Sequence, residues 1–157
     1  MNSGRTYNYY TYPNQIDNYR QNHYQLHCLK TFNAKWQLRS SIFTTTGKGY
    51  FEEYKAQVPF ASYGVNDLVF GTDTIRQSNL VRQRWLDNIY AGHFTHLDYH
   101  NKALSVILGS SYTQYHGKHF GQVVWADLAQ AFGSKDFEYY KAKSQKNDLN
   151  SFLKVNY

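Results

Sequence analysis

Seven histidines are the side chains of this 157-residue chain most able to do chemistry. His23 and His27 stand four apart. On a helix that spacing aims two imidazoles at one metal; on a strand the two share a face but lie two steps apart. His116 and His119 are expected at the mouth of a loop. Solvated histidines account for these spacings without a metal site, and none is expected. The single cysteine, Cys28, has no partner for an internal disulfide and no CxxC spacing. Gly47-Lys48-Gly49 is too short to cradle a phosphate and is expected where a strand gives way to a loop. GxSxG, Walker, HExxH and GxGxxG patterns are all missing from the sequence. With no acid–base or nucleophile constellation, the chain reads as a non-enzyme that needs no cofactor.

The elements carrying these residues are strands. In 101–116, Leu104, Val106, Leu108, Ser110 and Tyr112 alternate with Ser105, Ile107, Gly109, Ser111 and Thr113. A period of two puts the first set on one greasy face and the second on a small, mostly polar one. The same alternation sets Tyr24, Leu26 and Cys28 against His23, Gln25 and His27. It sets Trp36, Leu38, Ser40 and Ile42 against Gln37, Arg39, Ser41 and Phe43, where Phe43 breaks the polarity. At the end of the chain it sets Leu149, Ser151, Leu153 and Val155 against Asn150, Phe152, Lys154 and Asn156. Over 80–99 aromatics and histidines occupy both sides, and the assignment of faces is weak. Five strands are expected, at 19–32, 35–54, 80–99, 102–116 and 148–157, with residues 1–18 as loop.

Their connections alternate between short and long. Turns near 32–36 and 99–103 take a few residues; connections near 48–80 and 117–148 take dozens. All short turns therefore lie at one end of the sheet and all long loops at the other, the habit of outer-membrane barrels. An apolar stripe ending in tyrosines, backed by hydroxyls and glycine, suits a wall with lipid on one side and water on the other. The lipid-facing set is then Tyr24, Leu26, Cys28, Trp36, Leu38, Ile42, Leu104, Val106, Leu108, Leu149, Leu153 and Val155. The lumen-facing set is His23, Gln25, His27, Gln37, Arg39, Ser105, Ser111, Thr113, Asn150, Lys154 and Asn156. Phe32, Trp36 and Tyr99 suit one interfacial girdle, and Tyr50, Tyr54, Tyr112 and Tyr115 the other.

Composition limits the alternatives. No run approaches the roughly eighteen apolar residues of a spanning helix, but a spanning strand gives only alternate residues to lipid and leaves no such run. The formal charge is +6, yet Lys and Arg are scattered and no dense basic run marks a nucleic-acid surface. No apolar leader follows Met1.

Four stretches resemble TonB-dependent outer-membrane receptors, particularly those of the Bacteroidetes. They are Asp17-Asn18-Tyr19-Arg20-Gln21-Asn22-His23-Tyr24-Gln25-Leu26, Gly47-Lys48-Gly49-Tyr50-Phe51-Glu52-Glu53-Tyr54, Leu80-Val81-Arg82-Gln83-Arg84-Trp85-Leu86-Asp87-Asn88 and His119-Phe120-Gly121-Gln122-Val123-Val124-Trp125-Ala126. The resemblance runs from about Asn8 to Tyr157. It implies a sector of an antiparallel up-and-down barrel of about twenty-two strands with a plugged lumen. It also implies residence in the outer membrane, contact with its lipid, and partnership with a plug domain and the TonB system only through the intact receptor. The cargo would be a scarce solute: an iron complex, a vitamin or a glycan. Neither plug nor TonB-contacting segment is visible in the sequence, so the piece is not expected to transport alone. Ligand contacts would come from the long loops, where Tyr50, Phe51, Tyr54, Arg84, Trp85, His119 and Trp125 are the candidates. The rival reading is a soluble carbohydrate-binding β-sandwich with tyrosine platforms.

Overall fold

A computed structural model of the protein describes residues 10–157. The expectation of loop over 1–18 lies outside the described residues as far as residue 9; from 10 to 16 the chain is irregular, with a turn at Pro13 and Asn14. The fold is all-β. Five long strands, β1 (Asp17–Thr31), β2 (Trp36–Pro59), β5 (Gln77–His100), β6 (Ser105–Ala126) and β7 (Phe137–Asn156), form one sheet in the order β1-β2-β5-β6-β7. It is an antiparallel meander with β1 and β7 at its edges, and among the described residues no closed barrel is seen. A second sheet holds only β3 (Leu68–Phe70) and β4 (Asp73–Ile75), paired antiparallel.

Both tight turns use one device. Asn33 Oδ1 accepts hydrogen bonds from the backbone N–H of Lys35 (2.8 Å) and Trp36 (3.1 Å). Asn101 Oδ1 does the same for Ala103 and Leu104, both at 2.9 Å. An asparagine that bonds the backbone two and three residues on mimics a turn and fixes where each hairpin reverses.

The strands outrun the expected bounds at the other end. β2 continues to Pro59 instead of stopping near 54, β6 to Ala126 instead of 116, and β7 begins at Phe137 instead of 148. The long connections shrink accordingly to 60–76 and 127–136. Alternation was masked there because aromatic, charged and glycine residues fall on both faces, so neither face reads as greasy. Gly47-Lys48-Gly49 and both His116 and His119 consequently lie mid-strand, in β2 and β6, and not at a loop mouth.

The described residues divide into two compact units, and each long strand contributes to both. The loop-end unit comprises the described part of Met1–Tyr19 with Gly49–Leu86 and His119–Ala142. Its core packs Phe60, Tyr63, Leu80, Val123, Ala126 and Phe132 under two 3-10 turns, Phe60–Tyr63 and Ala129–Phe132. Gly64 closes the first turn in the left-handed region (φ 66°), which glycine adopts without steric cost. Asn79 clamps the strand ends: its Oδ1 accepts from Gln57 N–H (2.8 Å) and its Nδ2 donates to Asp127 Oδ2 (2.7 Å). Gln57 itself holds a positive φ of 49°, and that hydrogen bond fixes the irregularity near the end of β2.

The turn-end unit comprises Arg20–Lys48, Asp87–Lys118 and Lys143–Tyr157. Among the described residues none of its large apolar side chains belongs to the buried core. Its order comes from cross-strand pairs on the two faces.

Candidate functional site

Contacts between neighbouring strands of the turn-end unit sort its side chains into two faces. On one, the Trp36 and Tyr99 rings meet at 4.7 Å, Ser40 Oγ lies 2.8 Å from Thr95 Oγ1, His93 meets Tyr112, and Ser151 Oγ reaches Ser110 Oγ at 3.4 Å. By alternation this face also carries Tyr24, Leu26, Cys28, Leu38, Ile42, Leu104, Val106, Leu108, Leu149, Leu153 and Val155. Leu26 is 65% exposed, Leu108 55% and Leu149 72%. No second layer covers the face among the described residues.

The other face is polar and aromatic. His23 Nδ1 lies 2.9 Å from Thr45 Oγ1, and His27 Nδ1 lies 2.9 Å from Ser41 Oγ and within reach of Gln25. Arg39 donates to Gln37 and faces Asp98 at 3.6 Å, where His96 also approaches. Phe43, the residue that broke the sequence pattern, stacks on Phe94 (5.6 Å, 13°) and meets Tyr90 edge-on at 5.2 Å. Gly109 leaves room for the Phe152 ring, and Gly117 for that of Tyr115; a Cβ at either would collide with the ring. Tyr115 therefore belongs to this face and not with Tyr112 in one girdle. The remaining members, Ser105, Ser111, Thr113, Asn150, Lys154 and Asn156, follow by alternation. A groove of about 840 Å³ on this face is lined by His23, Gln25, His27, Phe43, Tyr90, Phe94 and Tyr115, among others. Its hydroxyls, imidazoles and ring faces can hydrogen-bond and stack on a polar, ring-bearing solute. Among the described residues no group of three or more His, Cys, Asp or Glu is placed to hold a metal.

The loop-end unit holds two buried carboxylates, Glu52 and Glu53, and the turn-end unit holds Asp98. Arg82 donates through Nη2 (2.7 Å) and Nε (2.8 Å) to one oxygen of Glu53, while Lys55 Nζ stands 2.9 Å from the other. Arg82 Nη1 also donates to Tyr63 OH (3.0 Å), tying the ion pair to the core. Burial opposes ionisation of Glu53, but hydrogen bonds from Lys55 and Arg82 outweigh it and hold the carboxyl below its ordinary value. Glu52 is lowered too: burial works against it, and hydrogen bonds from Gln83, Tyr12 and Asn14 prevail. Burial pushes the Tyr139 phenol up to about 12, against the pull of Arg82 and with help from Tyr63 and Tyr140. Through these bonds Glu53 ties β2 to β5 and to the Tyr63 turn, and Glu52 ties β2 to β5 and to the segment of Tyr12 and Asn14.

The expected ligand-loop residues stand on strands. Tyr50, Phe51 and Tyr54 are in β2, Arg84 and Trp85 in β5, His119 and Trp125 in β6. His119 and Trp125 fall in the expected connection 117–148, which the longer β6 absorbs; Tyr50, Phe51, Tyr54, Arg84 and Trp85 already lay within the expected strands 35–54 and 80–99. Tyr50, Trp85 and Phe120 form an aromatic row across three strands, with centroids 4.7 and 5.7 Å apart. Tyr12 meets Tyr54 at 6.2 Å. Sequence reasoning missed the Phe60–Phe132 core and the Arg82–Glu53 pair. Pro59, Gly64, Gly71 and Gly133 around short apolar groups were the available signal for a folded cap.

The geometry defines the class, an open antiparallel β-meander with two chemically unlike faces. Neither a family model, nor a curated protein, nor a solved structure matches the chain.

Proposed function

We propose that the chain is a sector of a transmembrane β-barrel from a solute-uptake receptor of the outer membrane, of the TonB-dependent kind its sequence resembles. The apolar face of the turn-end unit would meet hydrocarbon, and the polar face would line a watery lumen. One observation carries this reading: a unit of long strands with an exposed apolar face and no buried apolar core of its own. Large exposed apolar surfaces mark an interaction or membrane surface, and a barrel wall requires this inversion. Every unit of a water-soluble sandwich would instead bury one face against a second sheet. In the intact receptor the groove beside Phe43, Tyr90 and Phe94 would pass or hold the solute, and plug movement would drive it inward. Among the described residues β1 and β7 are the edge strands of the sheet, and sheet edges recruit other strands.

Purification with and without detergent tests the proposal. The expected result is a folded chain in detergent or lipid and aggregation in plain buffer. A monomer that is folded and stable in plain buffer would contradict it and favour the soluble carbohydrate-binding reading.

A further inference from the structure

We infer that the apolar face of the turn-end unit carries a basic groove that takes the phosphate groups of an anionic membrane-lipid headgroup; this rests on the membrane reading proposed above. The groove measures about 970 Å³ and draws residues from all five long strands. Arg20 and Asn22 line it but Gln21 does not, whereas Gln21 and His23 line the groove on the polar face. Alternation thus assigns the basic groove to the face of Tyr24 and Leu26. Arg20, Lys48, Lys118 and Lys143 supply four cationic side chains against one carboxylate, Asp87.

The occupant follows from two chemistries meeting in one place. Ile89 lines the groove and is 42% exposed, so apolar surface runs into the cationic cluster. Acyl chains would lie on the apolar surface while their phosphates reach the lysines and Arg20. A free phosphate would use only the charges. Cations on a lipid-facing surface are unfavourable at mid-bilayer but favourable at headgroup level, where long side chains extend to the interface.

Co-flotation of the full chain with vesicles tests the inference, using phosphatidylcholine alone and phosphatidylcholine mixed with phosphatidylglycerol. The mixed vesicles should bind more chain. The combined variant Arg20→Gln, Lys48→Gln, Lys118→Gln, Lys143→Gln should lose that gain, about fivefold per charge removed, and keep its binding to phosphatidylcholine. Replacing the three lysines by arginine should retain the gain, which separates charge from misfolding. A gain that survives in the glutamine variant overturns the inference, as does a wild-type chain that shows no gain. Competition by inorganic phosphate, beyond that of chloride at equal ionic strength, also overturns it in favour of a free-anion site. Absence of binding to either vesicle by the wild-type chain would instead sink the membrane reading itself, and the headgroup site with it.

Discussion

The two units put their apolar side chains in opposite places. In the loop-end unit Phe60 and Leu80 are fully buried, and Phe132, Val123 and Tyr63 close around them. In the turn-end unit Leu26, Leu108, Leu149, Leu153 and Val155 are all more than half exposed. The same long strands serve both, so strand propensity cannot explain the difference. On the reading proposed above, what differs is the solvent each is suited to. One unit follows the rule for water, with apolar groups inside and charges paired. The other exposes Leu26, Leu108 and Leu149 on one face and gathers His23, His27, Arg39 and Asp98 with their polar neighbours on the opposite one.

Cavity formation should break the first half of this comparison most severely. Phe60→Ala removes a fully buried ring that packs edge-on against Phe132; the expected loss is about 3–5 kcal/mol, measured by denaturant unfolding in detergent. Leu108→Arg probes the other half. On a lipid-facing strand near mid-bilayer it should cost about 2–4 kcal/mol, whereas on a water-exposed surface it should change stability by no more than about 0.5 kcal/mol. Unfolding from lipid vesicles distinguishes the two.

Arg82→Gln should cost about 2 kcal/mol, less than removing the only partner of a buried charge, because Lys55 Nζ stays 2.9 Å from Glu53. The smallest effect is on pH dependence. Glu52 and Glu53 are held below their ordinary 4.5 in the folded state, so their stabilisation is present above that value and is lost as pH falls below it and through their lowered folded-state values. Tyr139 is raised, so its contribution is complete below its ordinary 10.0 and is lost as pH climbs towards about 12. Glu53→Gln should flatten the acid limb and Tyr139→Phe the alkaline limb of a stability–pH curve.

Much of the turn-end unit was legible in the sequence because its two faces differ chemically. Leu104, Val106 and Leu108 against Ser105, Gly109 and Ser111 give a period of two that no helix shares. The faces of β5, weak in sequence, are set by Ser40 with Thr95 and by Phe43 with Tyr90 and Phe94. Only tertiary pairing shows that Phe43 belongs to an aromatic cluster on a polar face. The upper parts of β6 and β7 were illegible for another reason. From Gly117 to Trp125 and from Glu138 to Lys146, both faces carry polar or aromatic side chains, so alternation has no contrast to display. Gly121 shows the cost of reading such a stretch as loop: its missing side chain makes room for the Tyr139 and Tyr140 rings, a pairing of strands that composition hides.

The central claim is that one face of the turn-end unit meets hydrocarbon and the other meets water. Nitroxide labels at Leu108→Cys and, separately, Ser111→Cys, each in a Cys28→Ser background in lipid vesicles, test it most directly. The account predicts that the label at 108 is relaxed by oxygen and shielded from a water-soluble nickel chelate, with the reverse at 111. Equal access of the chelate to both positions would contradict it.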